Sequence, residues 1–277
     1  MTVEVFVLAS GSSGNSVLVR SGETSLLLDA GVSALQIRRR MEEFGQSVEQ
    51  LSGILLTHEH SDHVRGLEVL LKRRPTPVWA TAGTWAGVAV RTAEGGELIS
   101  GVTRTIGGIR VTPVATSHDA REPVALILDD GDHSVALCTD TGVFTTLLEQ
   151  RIAGCELLLM ETNHDVDLLR NGPYPWPLKQ RISSRVGHLS NEQSQEAVER
   201  VASKRLRGVV GMHLSAENNT LGLVRETLDC CVADGVAVEA VPRGHMLRIQ
   251  MVDGGIQLDR RDVPPPRPSG RKSKVES

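Results

Sequence analysis

Residues 57–63 read Thr57-His58-Glu59-His60-Ser61-Asp62-His63, three imidazoles and two carboxylates directly behind the apolar run Gly53-Ile54-Leu55-Leu56. A fold that accepts this stretch has to end a buried strand at Leu56 and gather polar groups at its tip. His58 and His60 stand two residues apart, so they project from the same side of an extended end. Asp62 and His63 then open a helical pattern of Val64, Leu67, Leu70 and Leu71, and Asp62 also suits a helix start. Neutral imidazole and carboxylate are ligands for Zn²⁺ and other borderline first-row metals. His58, His60, Asp62 and His63 together exceed what one structural ion needs, so the stretch reads as half of a two-metal site. The zincin pattern H-E-x-x-H is not met, because position 62 is Asp.

Around this turn the chain alternates short apolar strands with helical stretches. Strands are expected at Val3 to Leu8, Ser16 to Arg20, Ser25 to Asp29 and Gly53 to Leu56, with a glycine and serine loop at Ser10 to Asn15. Helices are expected at Ser33 to Phe44, Val64 to Arg74 and Thr84 to Val90, and a strand near Val78. Further strands follow at Thr103 to Pro113, Pro123 to Leu128, Ser134 to Cys138, Glu156 to Met160, Gly208 to Met212, Ala237 to Val241 and Met246 to Met251. Helices at Phe144 to Arg151, Asn191 to Lys204 and Leu221 to Ala233 separate the later ones. Two rounds of strands followed by helices predict an α+β fold, a four-layer αββα sandwich with the sheets inside. The expected domain covers residues 1–255. The proline and basic tail over 263–277 is expected to be disordered.

With 40% of its 277 residues hydrophobic, the chain can fill such a core, and with 3% aromatic it must do so with Val, Leu, Ile and Ala. The net charge of −4 excludes a uniformly basic nucleic-acid binder but not a local basic groove. No apolar run approaches a membrane span and the N-terminus has no basic leader, which predicts a cytoplasmic protein without membrane contact. Cys138, Cys155, Cys230 and Cys231 form no C-x-x-C, so they read as free thiols in a reducing compartment. Nothing in the sequence sets an oligomeric state.

Ligand-type residues recur at the ends of later strands: His118 after Ala115-Thr116-Ser117, Asp140 after Leu137-Cys138-Thr139, and His213 after Val210-Gly211-Met212. This order, H-x-H-x-D-H followed by a spaced His, Asp and His, resembles the metallo-β-lactamase superfamily from about Val3 to Met251. The resemblance implies one metal on His58, His60 and His118, a second on Asp62, His63 and His213, and Asp140 bridging them. Two divalent ions per chain are then expected, with Zn²⁺ preferred and Mn²⁺ or Fe²⁺ as alternatives. A hydroxide held between such ions is a strong nucleophile at neutral pH.

Within that superfamily the chain resembles most the YycJ-like (WalJ) branch, through Ser10-Gly11-Ser12-Ser13-Gly14-Asn15-Ser16, Glu161-Thr162-Asn163-His164-Asp165, Tyr174-Pro175, Gly187-His188-Leu189-Ser190-Asn191 and His213-Leu214-Ser215 with Asn218-Asn219. That branch implies a DNA exonuclease linked to repair, with nucleic acid, DNA first, as the partner. Gly187-His188-Leu189 also resembles the ribonuclease Z motif that supplies a catalytic histidine, with Glu161 in the place of its carboxylate partner. In-line attack at phosphorus expels an alkoxide that needs a proton, so His188 is expected as general acid or phosphate clamp, Glu161 as its orienter and Asp62 as a catalytic ligand. Ser12, Ser13, Asn15, His164, Tyr174, Arg181, Ser215 and Asn218 are candidates for substrate contact. Arg170, Lys179, Arg181 and Arg185 flank Tyr174 and Trp176, giving the basic and stacking groups a polyanion requires. The interval from Asp140 to His213 leaves little room for a large inserted nucleic-acid clamp. The alternative is a small-molecule hydrolase acting on a cyclic phosphodiester, a lactone or a thioester with the same nucleophile.

Overall fold

The computed structural model describes residues 2–90, 94–253 and 255–264. The first half of the chain supplies β1 (Val3–Ala9), β2 (Ser16–Ser21), β3 (Thr24–Leu28), β4 (Gly53–Leu55), β5 (Val78–Ala80) and β6 (Gly95–Glu97), with helices α1 (Ala34–Glu43), α2 (Ser61–Val64), α3 (Leu67–Arg73) and α4 (Ala82–Gly87) between them. The second half supplies β7 (Arg104–Ile106), β8 (Ile109–Ala115), β9 (Val124–Asp129), β10 (Ser134–Cys138), β11 (Leu157–Glu161), β12 (Gly208–Met212) and β13 (Ala237–Ala240). Its helices are α5 (Thr146–Ile152), α6 (Val166–Asn171), α7 (Trp176–Ile182), α8 (Asn191–Val201) and α9 (Leu221–Asp229). A final hairpin, β14 (His245–Val252) and β15 (Gly255–Asp262), returns to the first sheet.

Two mixed sheets result, ordered β15-β14-β1-β2-β3-β4-β5-β6 and β13-β12-β11-β10-β9-β8-β7. Strand alternation explains how they stack. Val3, Val5 and Val7 of β1, Leu26 and Leu28 of β3, and Leu157 and Leu159 of β11 join one core between the sheets. Their neighbours Phe6, Leu8 and Leu27 face outward and meet Ile37, Met41 and Leu67 of α1 and α3. Leu158 and Met160 face the other way, onto Leu148, Ala197, Val198, Val224 and Leu228 of α5, α8 and α9. Both faces of each sheet are therefore covered, and the architecture is the four-layer αββα sandwich. Among the described residues no helix is long and apolar enough to cross a membrane.

Seven segments depart from the sequence expectations. The single strand expected over 103–113 is a hairpin, because Gly107 takes φ 58° and turns β7 back onto β8. The helix expected over 64–74 breaks at Gly66, where a Cβ would lie 2.2 Å from the Val32 carbonyl. α4 begins at Thr81, whose side chain accepts from Thr84 N, and ends three residues short of Val90. β6, β15, α6 and α7 were not expected, and β15 carries the first sheet past residue 255. The proline and basic tail expected at 263–277 lies, from residue 265 on, outside the described residues.

Candidate metal centre

One rim of the sandwich collects the chemistry. β3 and β4 run parallel in the first sheet, as do β10, β11 and β12 in the second, so their C-terminal ends lie side by side. Asp29 follows β3, His58 to His63 follow β4, His118 follows β8, Asp140 follows β10, Glu161 ends β11 and His213 follows β12. Three of these residues, Asp29, Asp140 and His213, hold φ of 60°, 58° and 58°, and no other described non-glycine residue has positive φ. Left-handed backbone costs about 1–3 kcal/mol at such residues and persists where the surroundings enforce it. Here it turns a strand end sharply enough to aim a side chain across the gap between the sheets.

All seven residues expected as ligands meet in this gap. His58, His60 and His118 form one set whose ligand atoms lie within 4.8 Å of one another, and Asp62, His63 and His213 form a second. Asp140 lies between them: Oδ1 is 3.8 Å from His118 Nε2 and Oδ2 is 3.4 Å from His63 Nε2. Asp62 Oδ2 is 3.7 Å from His63 Nε2 and 3.8 Å from His213 Nε2.

Most of the imidazoles are held by the nitrogen that faces away from the gap. His63 Nδ1 donates to Asp29 Oδ2 at 2.8 Å, and Asp29 also accepts from Thr57 N at 2.9 Å and Thr57 Oγ1 at 2.8 Å. His58 Nδ1 meets Thr57 Oγ1 at 3.0 Å, and His118 Nδ1 donates to the Gly187 carbonyl at 3.1 Å. His213 Nδ1 donates to Glu161 Oε1 at 3.0 Å. Such outer bonds fix tautomer and ring orientation, which is what a metal ligand requires. Asp29 was not singled out from the sequence. Its signal was the one that revealed Asp140, a lone carboxylate closing an apolar strand, Leu26-Leu27-Leu28-Asp29.

Glu161 serves two histidines. Its Oε1 accepts from His213 Nδ1 and from His188 Nδ1 at 2.8 Å, while Oε2 accepts from Thr141 N at 3.0 Å and Leu189 N at 3.2 Å. A grouping of Asp140, Glu161, His188 and His213 also has the spacing for a cation. With both oxygens of Glu161 engaged, we assign it as a support and not as a ligand.

The donor set fits divalent cations. His58 Nε2, His213 Nε2 and Asp140 Oδ2 are buried and have no hydrogen-bond partner, a costly state unless another group completes them. Protons stand where positive charge belongs. Burial pushes the His63 imidazole down, but Asp140 and Asp29 outweigh it and raise it to about 9. Burial likewise opposes charge on His213, and Asp140, Asp62 and Glu161 carry it well above its ordinary value. Burial lowers His58 and His118, and the neighbouring imidazoles of His63 and His188 add to this, leaving neutral, ligand-competent rings. Burial would raise Asp62, Asp140 and Glu161, yet the surrounding imidazoles hold all three below the usual carboxylate range. Cation binding would displace the protons of His63 and His213.

The candidate substrate contacts divide by exposure. Arg181 and Ser12 are exposed, and Ser13 and Tyr174 are half-buried. Asn15 is buried, with Nδ2 3.0 Å from His63 Nε2 and Oδ1 accepting from Gly11 N, so it braces the loop at the metal-facing nitrogen. His164, 2% exposed, has Nδ1 beside Asn163 Oδ1, and Asn218 is fully buried with Nδ2 donating to Ser215 Oγ. These last contacts hold the loop over β11 and β12 together, while Asn218 Oδ1 is buried without a hydrogen-bond partner.

Comparison with known proteins identifies the family. Residues 24–213 match the family described as the beta-lactamase superfamily domain. The chain is 37% identical over 230 residues to exodeoxyribonuclease YycJ of Bacillus anthracis, covering 81% of this chain and 87% of that protein. It is 38% identical over 229 residues to exodeoxyribonuclease WalJ of Streptococcus pneumoniae, covering 80% and 85%. The metallo-beta-lactamase fold protein YhfI from Bacillus subtilis superposes with a TM-score of 0.71 at 18% identity, over 89% of this chain and 99% of that one. The chain belongs to the beta-lactamase superfamily domain family and has the metallo-β-lactamase fold.

Proposed function

We propose that the chain is a metal-dependent phosphodiesterase acting on nucleic acid, and specifically a DNA exonuclease that serves repair in the cytoplasm. The observation that carries this reading is the His188–Glu161 pair. His188 sits at the lip of the metal centre, its side chain 16% exposed, with Nδ1 bound to Glu161 Oε1 at 2.8 Å and its ring 5.1 Å from those of His118 and His213. Nδ1 being committed, Nε2 is the atom left to exchange a proton with substrate. Cleaving a phosphodiester with an alkoxide leaving group needs such a donor, whereas opening an activated ester does not. The relatives named exodeoxyribonucleases support the choice of DNA.

In this reading His58, His60 and His118 would hold one ion, Asp62, His63 and His213 would hold a second, and Asp140 would serve both. Zn²⁺ is the first choice for this nitrogen and oxygen set, with Mn²⁺ or Fe²⁺ next. When bound, such a pair supplies a water-derived nucleophile at neutral pH and positive charge against the phosphate. The chain's own residues do the rest. Asp29, Thr57 and Glu161 fix the imidazoles, burial of the floor limits stray water, and His188 passes a proton from Nε2 to the departing oxygen while Glu161 keeps the ring aimed.

Metal-loaded wild type and His188→Ala, given single-stranded DNA and bis(p-nitrophenyl) phosphate, test the assignment. The variant should lose about 10²–10⁴ in kcat on DNA, the usual worth of a general acid, and far less on the nitrophenyl ester, whose leaving group needs no proton. Equal losses on both substrates, or lactone turnover with DNA untouched, would overturn the reading.

A further inference from the structure

An ion pair at the mouth of the metal centre takes no part in the scheme above. Asp119 Oδ2 accepts from Arg181 Nε at 2.7 Å. The other oxygen of Asp119 lies 3.4 Å from His118 Nε2 and 3.9 Å from His60 Nε2, so the carboxylate separates the guanidinium from the ligand nitrogens. Arg181 is in the last turn of α7 with 56% of its side chain exposed, and its two terminal nitrogens make no hydrogen bond among the described residues. The Asp119 hydrogen bond, with the Asp62 carboxylate adding to it, favours its charge.

Neither partner sits on a free loop. Ser117 Oγ donates to the Arg185 carbonyl at 2.6 Å, Asp119 N to the Val186 carbonyl at 3.1 Å, and His118 Nδ1 to the Gly187 carbonyl at 3.1 Å. Ser184 Oγ donates to the Arg181 carbonyl at 2.8 Å, and a Cβ on Gly187 would lie 2.3 Å from that same oxygen. The end of α7 is therefore strapped to the His118 loop, and the pair inherits that rigidity. A half-exposed ion pair adds little to stability, so fold stability does not account for the arrangement. Holding Nε while leaving both terminal nitrogens outward is how a guanidinium is prepared for a bidentate phosphate.

We propose that Asp119 is a positioning residue that aims Arg181 at the phosphate next to the scissile one, gripping a polynucleotide strand on the α7 side of the metal centre. This rests on the nucleic-acid reading above and specifies how the strand is held. The flanking phosphate is favoured because the Asp119 carboxylate stands between Arg181 and the ligand nitrogens. A strand thus gains a contact that a small diester, with no second phosphate, lacks.

The test uses metal-loaded wild type, Arg181→Gln, Arg181→Lys, Asp119→Ala and the Asp119→Ala/Arg181→Gln double variant. Turnover of a single-stranded oligonucleotide and of bis(p-nitrophenyl) phosphate is compared, together with fluorescence anisotropy of a phosphorothioate oligonucleotide and elemental analysis of bound metal. Arg181→Gln should raise the oligonucleotide KM about 10-fold, the worth of a charge-assisted hydrogen bond, with a much smaller rise for the nitrophenyl ester. It should also flatten the dependence of log binding constant on log salt by about 0.7, one phosphate contact on a single strand. Arg181→Lys should fall between, keeping charge but losing the fork. Asp119→Ala should raise the same KM about 3-fold. The double variant should be no worse than Arg181→Gln, because Asp119 acts only through Arg181. An unchanged KM and salt slope in Arg181→Gln, additive losses in the double variant, or loss of metal from Asp119→Ala would each overturn the proposal. Because anisotropy reads the grip without turnover, a wild type that binds the strand but does not cleave it refutes the nuclease chemistry and leaves the clamp standing. A wild type that binds no strand overturns both.

Discussion

Removing the Asp29 carboxylate tests whether the metal centre depends on its outer hydrogen bonds. Asp29, 1% exposed, accepts from Thr57 N, Thr57 Oγ1 and His63 Nδ1 at 2.9, 2.8 and 2.8 Å. In Asp29→Ala the Thr57 Oγ1 still lies 3.0 Å from His58 Nδ1 and 3.3 Å from His63 Nδ1, so Thr57 N is stranded while His63 Nδ1 keeps only that longer contact. One stranded buried donor sets a loss of about 1–3 kcal/mol for the folded protein, and the weakened bond to His63 adds to it. Asp29→Asn conserves volume but exchanges one acceptor for a donor, so a single clash, about 2 kcal/mol, is expected. His63 loses its fixed tautomer in Asp29→Ala, and losing such a support typically lowers metal affinity about 10–100-fold, whereas the remaining amide oxygen of Asp29→Asn can still accept from Nδ1. Chelator competition followed by elemental analysis reads the affinity, and urea unfolding of the metal-free protein reads the stability. If both variants hold metal against chelator as tightly as wild type, the carboxylate does not govern His63 and the reasoning fails.

Glu161→Gln should differ from His188→Ala in one respect. Both lose about 10²–10⁴ in kcat on DNA, but only Glu161→Gln should also release metal more readily, since His213 leans on the same oxygen; equal metal retention would contradict the shared role. Burial holds His164 down to about 4, below its unfolded value of 6.5, so it stabilises the fold above pH 6.5 and that contribution is lost as pH falls from 6.5 toward 4. The loss is on the order of 3 kcal/mol, and urea titrations at pH 7.5 and 4.5 should show a smaller acid penalty in His164→Gln than in wild type. Gly31→Ala would place a Cβ 1.6 Å from the Asp62 carbonyl, so it should cost about 3 kcal/mol or more and abolish tight metal binding; a variant melting like wild type would refute the close approach. Cys230 is the exposed thiol, while burial pushes Cys155 and Cys231 up to about 11 and Cys138 further, so native protein should react rapidly with Ellman's reagent at Cys230 alone, as peptide mapping would reveal.

The site was more legible in the sequence than the segments that frame it. His58 to His63 are local, and His118, Asp140 and His213 each close an apolar strand, so a linear pattern carries them. The strands of both sheets read as short, near-continuous apolar runs because they are buried on both faces. The interval between Glu161 and His188 was illegible because α6 and α7 are single turns or little more, too short for periodicity to register, and because α7 starts at a Trp176-Pro177 step that reads as loop. β15, with charged residues at Asp259, Arg260, Arg261 and Asp262, has little strand composition and owes its place to pairing with β14. Asp119 and Arg181 lie far apart in sequence and meet only because the His118 loop is strapped to the end of α7.

The left-handed backbone at Asp29, Asp140 and His213 also bears on how this protein would respond to selection. Glycine adopts that conformation without penalty, so Asp140→Gly and His213→Gly would each relax the main chain while deleting a group of the candidate metal centre, whereas at Asp29 the hydrogen bonds lost offset that gain. A library screened only for heat resistance would be drawn to positions 140 and 213 and would enrich well-folded, inert proteins. A thermostable variant carrying glycine at position 140 or 213 is therefore expected to have lost metal binding.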